Sequence, residues 1–264
     1  MQEICPVCGS KDIVLIDKAA GRYQCRSCDE RFVFEKKEPQ VVKEIVHQIV
    51  EKQIERVPTA AFSAKDVYNR NIESILEVTA TFEDTDSCGT GFCISNRGYW
   101  ITNAHVLIGV KNKKPVLCNE VYVCRSRSDR FTEAEIVYME AGNDLALLHV
   151  SNEEHYCPVL FAKKDVEIGD KLFAIGNSQG DGLNLLDGIV GDVNRKFKTT
   201  PAFLFNALVT HGCSGGPVFN DKGEVCGITV GGATDAPGMN FAIPISSLRE
   251  FLERAEREKQ ITIY

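Results

Sequence analysis

Residues 211–219 read His-Gly-Cys-Ser-Gly-Gly-Pro-Val-Phe, a serine set among glycines ahead of an apolar strand. Glycine lets a backbone turn sharply and approach a ligand closely, because no Cβ intervenes. Such a turn presents the Ser214 hydroxyl outward, and neighbouring N–H groups can point into the same space to hold an oxyanion. Taken alone, the stretch is equally a glycine-rich turn with an incidental serine. A serine is a weak nucleophile at neutral pH; it needs a base for its proton and a buried carboxylate to fix the tautomer of that base. Two upstream stretches offer both. Ile101-Thr102-Asn103-Ala104-His105-Val106 places His105 just after a β-type run, and Gly142-Asn143-Asp144-Leu145-Ala146 places Asp144 immediately before an apolar strand. Their chain order is His105, Asp144, Ser214.

Four cysteines make a second cluster. Cys5-Pro6-Val7-Cys8 and Cys25-Arg26-Ser27-Cys28 are two C-x2-C knuckles with sixteen residues between them, a zinc-site spacing. Four thiolates surround one Zn²⁺ tetrahedrally at about 2.3 Å. The segments 12–17 and 31–34 alternate as short strands, and residues 1–38 as a whole resemble a zinc ribbon. The zinc is expected to be structural and not catalytic: so short a segment buries little core without metal. A redox use of the thiol pairs is the alternative, and paired knuckles favour zinc over it. Seven basic and seven acidic side chains cancel within residues 1–38. Phosphate binding draws on excess positive charge, so protein contact or substrate docking is expected of the ribbon and nucleic-acid binding is not.

The elements that must position these groups follow from pattern. The chain has 264 residues, room for one large domain and a small satellite, with 44% hydrophobic and 25% charged residues. A net charge of −7 again argues against a nucleic-acid protein held by a basic surface. No apolar run has the length of a membrane span, and the N-terminus lacks a signal-peptide profile, so no membrane association and a cytoplasmic location are expected. The seven cysteines outside the knuckles then read as reduced thiols that pack as small hydrophobes. Residues 41–57 carry apolar side chains at helical spacing between Pro39 and Pro58. This helix either packs on the catalytic domain or serves in oligomerisation, and 39–63 forms a helical linker. Ser63 is placed to cap a helix running from Ala64 to about Ile72. From Glu77 onward, two sets of about six short β-rich segments alternate with turn residues. The chain closes with an amphipathic helix over 246–259, capped by Ser246 or Ser247, with Leu248, Phe251 and Leu252 inward.

From about residue 64 to 252 the chain resembles the HtrA (Deg) family of chymotrypsin-fold serine proteases. The resemblance rests on Gly89-Thr90-Gly91-Phe92, Thr102 to Val106, Asn143 to Leu148, Ala174-Ile175-Gly176-Asn177, Gly188-Ile189-Val190, Gly212 to Pro217 and Asn240 to Pro244. It implies a mainly β fold of two six-stranded Greek-key barrels over 64–259, behind the ribbon and linker. It also implies a serine endopeptidase acting through an acyl-enzyme, with His105 as base, Asp144 as its orienting carboxylate and Ser214 as nucleophile. The family positions put the oxyanion hole at the N–H groups of Gly212 and Ser214. They put the substrate pocket near Leu208 and Thr229, with Val230 and Gly231 in the edge that pairs with substrate backbone. Leu208 at the pocket base implies small or medium apolar side chains in the substrate. Polypeptides, misfolded ones among them, are the implied partners, with intracellular quality control or regulated proteolysis as the role and a homotrimer as the implied assembly. Many relatives carry a PDZ domain after the last helix, and none is expected here.

Three departures are visible. The residue after the histidine is Val106, where secreted relatives often have a disulfide cysteine. Cys213 stands where Asn or Asp usually precedes the serine; it is either a rival nucleophile, a redox-sensitive thiol or a packed one, and the Gly-x-Ser-Gly-Gly-Pro register favours Ser214. The loop 178–202 resembles the activation loops of the family without a motif of its own. A latent protease-fold scaffold or binding module recruited through the ribbon is the competing reading, and an intact triad argues against it.

Overall fold

The computed structural model describes residues 6–8, 10–17, 22–33, 61–128, 130–151, 157–232 and 238–264. The chain divides into two compact units, Met1–Thr59 and Ala60–Tyr264. The helix expected at 41–57 and Cys5 lie outside the described residues.

In the first unit three short strands, β1 (Ile13–Asp17), β2 (Arg22–Cys25) and β3 (Arg31–Val33), form an antiparallel sheet in chain order. β1 and β3 fall on the alternating segments of the sequence. β2, the alternating Arg22-Tyr23-Gln24-Cys25, lies outside those two segments and is held by pairing on both sides, with Ile13 opposite Cys25 and Gln24 opposite Arg31. The return to β3 is tight: Asp29 N–H donates to the Cys25 carbonyl (2.8 Å), and Cys25 N–H donates to that of Glu30 (2.9 Å). Asp29 takes a φ of 61°, a left-handed value that aspartate tolerates better than most residues.

The second unit opens on α1 (Ala64–Asn71). Ser63 caps it as expected and forms a reciprocal capping box with Asp66. The strands that follow are β4 (Ile75–Thr81), β5 (Asp86–Cys93), β6 (Tyr99–Thr102), a separate hairpin of β7 (Ile108–Lys111) and β8 (Lys114–Leu117), β9 (Glu120–Cys124), β10 (Phe131–Glu133), β11 (Glu135–Glu140) and β12 (Leu145–His149). Seven of them build one antiparallel sheet in the order β10-β9-β4-β5-β6-β12-β11. The β-rich stretch 131–140 is not one strand: Ala134 splits it, and the two halves occupy opposite edges of the sheet. Because a single residue joins those edges, the sheet must curl until they nearly meet. The first barrel is therefore an open, seven-stranded one, with no ladder closing it among the described residues.

The second barrel closes as expected. It comprises β13 (Lys171–Asn177), β14 (Leu183–Phe197), β15 (Thr200–Phe205), β16 (Pro217–Phe219), β17 (Val225–Gly232) and β18 (Asn240–Pro244), in the order β13-β14-β15-β18-β17-β16 and back to β13. The segment 159–161 contributes only a bridge from Phe161 to Val225. The last helix, α2 (Ile245–Lys259), starts earlier than the sequence suggested. Pro244 is its N-cap and offers no side-chain bond, while Asp165 accepts from the Ser246 N–H (3.0 Å). Ile245, Leu248, Phe251, Leu252 and Ala255 of α2 are buried.

The core has three parts. One fills the open barrel around Trp100, Leu107 and Leu148, and another fills the closed barrel around Phe203, Phe205 and Val218. The third runs between the two, joining Phe92, Ile101 and Leu147 to Phe173, Phe219 and Phe251. Apolar burial at roughly 25 cal/mol per Å² makes this shared layer the main cohesion between the halves, and it fixes the seam along which the candidate site lies.

Candidate active site

The His105–Asp144 pair is set by strand register. β12 runs antiparallel to β6 with Ala146 opposite Thr102. Two residues past that pair, beyond the ends of the two strands, are Ala104 and Asp144, so the pairing alone brings Asp144 beside the histidine turn. A 3-10 turn over Ala104–Val106 then buries Ala104 and Val106 and leaves His105 exposed between them. Asp144 is held from three sides. Its Oδ2 lies 2.7 Å from His105 Nδ1, its Oδ1 accepts from the His105 backbone N–H (2.8 Å), and its carbonyl accepts from Asn103 Nδ2 (2.8 Å). The carboxylate is 13% exposed and the imidazole 41%. An Nδ1–H bonded to a largely buried carboxylate leaves Nε2 facing outward as the free base.

The serine turn is built differently. It links β15 to β16, and Thr90 of β5 in the other barrel organises it. Thr90 N–H donates to the Ser214 carbonyl (2.8 Å), and Thr90 Oγ1 donates to the Gly212 carbonyl (2.7 Å) and accepts from the Asn177 N–H (2.9 Å). Thr102 Oγ1, three residues before His105, donates to the Thr90 carbonyl (2.8 Å). Thr90 and Thr102 are fully buried. These bonds tie the serine turn to the histidine strand across the seam.

The peptide orientations in the turn follow from the planar trans amide, in which C=O and N–H point opposite ways. The His211 carbonyl accepts from the Gln179 N–H (2.7 Å), which directs the Gly212 N–H away from Gln179. The Cys213 carbonyl accepts from the Gly216 N–H (3.0 Å), which frees the Ser214 N–H in the same manner. Cys213 and Gly215 N–H groups are spent on the carbonyls of Thr210 and Thr229. Among the described residues, the N–H groups of Gly212 and Ser214 therefore have no acceptor, while the others between 213 and 216 do. Gly212 adopts φ 89°, and a Cβ there would come within 2.0 Å of the Asn177 carbonyl oxygen. The turn demands glycine for both reasons.

Cys213 is 2% exposed, packs against Gly176 and lies 3.3 Å from Ser178 Oγ. Of its three readings, the packed thiol fits this position. Ser214 is half-buried and makes no side-chain hydrogen bond to His105 among the described residues. Such bonds in ligand-free sites often tighten only with substrate.

The expected substrate pocket is not assembled as the sequence suggested. Thr229 and Val230 are 1% and 2% exposed, and Thr229 spends its carbonyl and N–H on Gly215 and Gly216. Thr229 thus supports the serine turn and offers no accessible side chain. Leu208 is 65% exposed on the rim of a concavity of about 560 Å³ beside Lys171, Leu185 and Ile189, apart from Thr229. Gly231, half-buried at the end of the β17 core, packs against the Phe197 ring.

Three functional positions had no role in the sequence reading: Thr90, Asn103 and Asn177. Asn177 receives the Gly182 N–H on Oδ1 (2.9 Å) and donates its Nδ2 to Glu77 (3.2 Å), so it anchors the start of loop 178–182. Each lies in a run already marked by resemblance, but its role rests on a distant partner: Gly212 for Thr90, Asp144 for Asn103 and Glu77 for Asn177. In the first unit, the Sγ atoms of Cys8, Cys25 and Cys28 gather within 4.8 Å of one another. Burial alone would raise the Cys25 thiol, but backbone bonds from Cys28 and Ser27 and the neighbouring thiols outweigh it and bring it down to about 6.

With this geometry in place, the likeness to known proteins is informative. The profile of the trypsin-like peptidase domain matches residues 89–228. The chain belongs to that family, and its relatives include proteases of HtrA/Deg type. A Halomonas elongata protein named "Probable periplasmic serine endoprotease DegP-like" is 30% identical over 186 residues, which cover 68% of this chain and 37% of that one. "Protease Do-like 5, chloroplastic" of Arabidopsis thaliana is 30% identical over 178 residues, covering 62% and 55%. The chain thus spans between about a third and just over half of these relatives. Two solved structures share the fold at 24% identity: a serine endoprotease from Yersinia pestis (TM-score 0.62, covering 75% of this chain and 68% of that one) and the HtrA-type protease AlgW with a tripeptide (TM-score 0.65, 74% and 64%).

Proposed function

We propose that the chain is a serine endopeptidase. The observation that carries this reading is the pair of acceptor-free N–H groups at Gly212 and Ser214, on the same turn as the serine and tied by Thr90 to the strand that leads to His105. His105 Nε2 takes the Ser214 proton as Oγ attacks a peptide carbonyl. Asp144 holds the imidazole by Nδ1 and stabilises its charge, and the two N–H groups receive the oxyanion. His105 then gives its proton to the leaving amine, and water hydrolyses the acyl-enzyme by the reverse sequence. The segment Val230-Gly231-Gly232 belongs to the same proposal, as the strand that pairs with the backbone of an extended substrate.

Burial pushes Cys93 and Cys124 up to about 11 and raises Cys226 further, so these thiols act as packing groups, as a cytoplasmic setting would allow. The relatives above carry periplasmic and chloroplastic names, so cell fractionation is the measurement that decides location. Action on misfolded polypeptides and assembly as a homotrimer belong to the same proposal, the latter readable by light scattering on the purified chain. No helix among the described residues is long and apolar enough to cross a membrane. The direct test is hydrolysis of casein and of a quenched-peptide library by the wild type and by Ser214→Ala. Cleavage that vanishes in the variant supports the proposal. Equal cleavage by both, or none by a folded wild type, overturns it.

A further inference from the structure

The first unit holds a constellation that peptidase chemistry does not use. β2 ends at Cys25, the turn that follows carries Cys28, and Cys8 comes in from the chain before β1. Their three Sγ atoms lie within 4.8 Å of one another, with Cys8 and Cys25 3.6 Å apart. A disulfide would require about 2.05 Å. Two thiolates on one tetrahedral zinc, each at about 2.3 Å, stand about 3.8 Å apart. The observed pair has the spacing of co-ligands, not of a bridge.

The surrounding backbone is arranged for thiolates. Ser27 N–H points at Cys25 Sγ (3.4 Å), so the knuckle donates to the sulfur two residues earlier. Arg26 N–H bonds the Asp12 carbonyl (2.9 Å), and Ile13 pairs with Cys25, so the knuckle is fastened to β1. Little apolar burial supports this small sheet among the described residues. Val7 is 66% exposed and Leu15 44%, and Tyr23 stacks on Phe32 with centroids 6.3 Å apart. A sheet of this size without a core is ordinarily held by a metal or disulfides.

We propose that Cys8, Cys25 and Cys28 bind a single Zn²⁺ that holds the first unit together, with Cys5 as the fourth thiolate on the strength of its C-x2-C pairing with Cys8. An all-thiolate tetrahedral set suits a soft, redox-inert cation that fills four positions and leaves none for substrate water. Binding releases the thiol protons and changes no oxidation state.

The test is independent of the peptidase reading. The full chain, purified without chelator, is analysed by elemental mass spectrometry and by native mass spectrometry. One zinc per chain is expected in the wild type and in Ser214→Ala, with loss of the zinc in Cys25→Ser and in Cys5→Ser. Exchange with Co²⁺ is expected to give the visible bands of tetrahedral thiolate cobalt. Fluorescence of Trp100, the chain's one tryptophan and buried in the second unit, serves as the folding control for that unit in the cysteine variants. A metal-free wild type, stoichiometric iron in place of zinc, a mass two daltons low from a disulfide among these cysteines, or zinc retained in Cys25→Ser would each overturn the proposal.

Discussion

The two parts of the candidate active site are positioned by different physics. His105 and Asp144 belong to one sheet, and the register of β6 against β12 places them together. Ser214 sits on a turn of the other barrel whose shape depends on buried hydrogen bonds from Thr90, a residue of the first. The first arrangement is local to one sheet and redundant, since every rung of the ladder supports it. The second hangs on a few polar contacts across a seam. A site of this kind is expected to lose its oxyanion hole more readily than its His–Asp pair, and control of activity through the serine turn is the economical route.

The largest effect is expected from removing charge in the robust part. Asp144→Asn keeps the shape of the pair but favours the wrong histidine tautomer, and kcat should fall about 10⁴-fold while the folded state persists. A near-normal rate would mean that His105 is not the base. In the fragile part, Gly212→Ala puts a methyl on the Asn177 carbonyl oxygen at a φ of 89°. The turn must move and one oxyanion donor is lost, so kcat should fall at least about 10²–10³-fold. The bond between His105 Nδ1 and Asp144, followed by its proton NMR signal, should remain as in the wild type. Loss of that signal in the variant would dissolve the distinction between the two parts.

Thr90→Val addresses the link itself. It strands the Asn177 N–H and the Gly212 carbonyl in a buried site, which costs about 1–3 kcal/mol by denaturant melt and lowers turnover. Thr90→Ser should restore both, because it keeps the hydroxyl. Equal behaviour of Val and Ser variants would remove Thr90 from the account.

The smallest effect is expected at the turn before Asp144. Arg254 of α2 grips Glu140 through two bonds of 2.7 and 2.9 Å, and Glu140 also receives the Asn143 amide. Hydrogen bonding from Arg254 holds the Glu140 carboxyl below its usual range. A lowered folded-state pKa gives stability that is complete above the unfolded value and is lost as pH falls through the folded one. Arg254→Met should therefore destabilise by about 1–2 kcal/mol near pH 7, for a partly buried pair. The difference should begin to shrink below about pH 4 and close once the folded-state carboxyl is protonated. A difference that grows toward acid would contradict the assignment.

What could be read from the sequence follows the same division. His105, Asp144 and Ser214 announce themselves by local context, and so does the Ser63 cap, because each depends on residues within a few positions. The closed barrel was legible from six well-separated β segments. The break at Ala134 and the β7–β8 hairpin were not, since nothing in composition distinguishes one curled strand from two on opposite edges. Thr90, Asn103 and Asn177 acquire their roles only through partners far along the chain. The start of α2 was misplaced because its acceptor, Asp165, comes from 81 residues upstream of Ser246. Thr229, a pocket-lining position by resemblance, is 1% exposed, because the closed barrel claims its side chain and no local sequence signal marks that.

The measurement that bears most directly on the central claim is fluorophosphonate labelling read by peptide mass spectrometry, on wild type, Ser214→Ala and Cys213→Ala. Reaction requires an activated serine beside a formed oxyanion hole. The account predicts adduct on Ser214 in the wild type and in Cys213→Ala, and none in Ser214→Ala. A folded wild type that takes no label, or an adduct at any other residue, would contradict it.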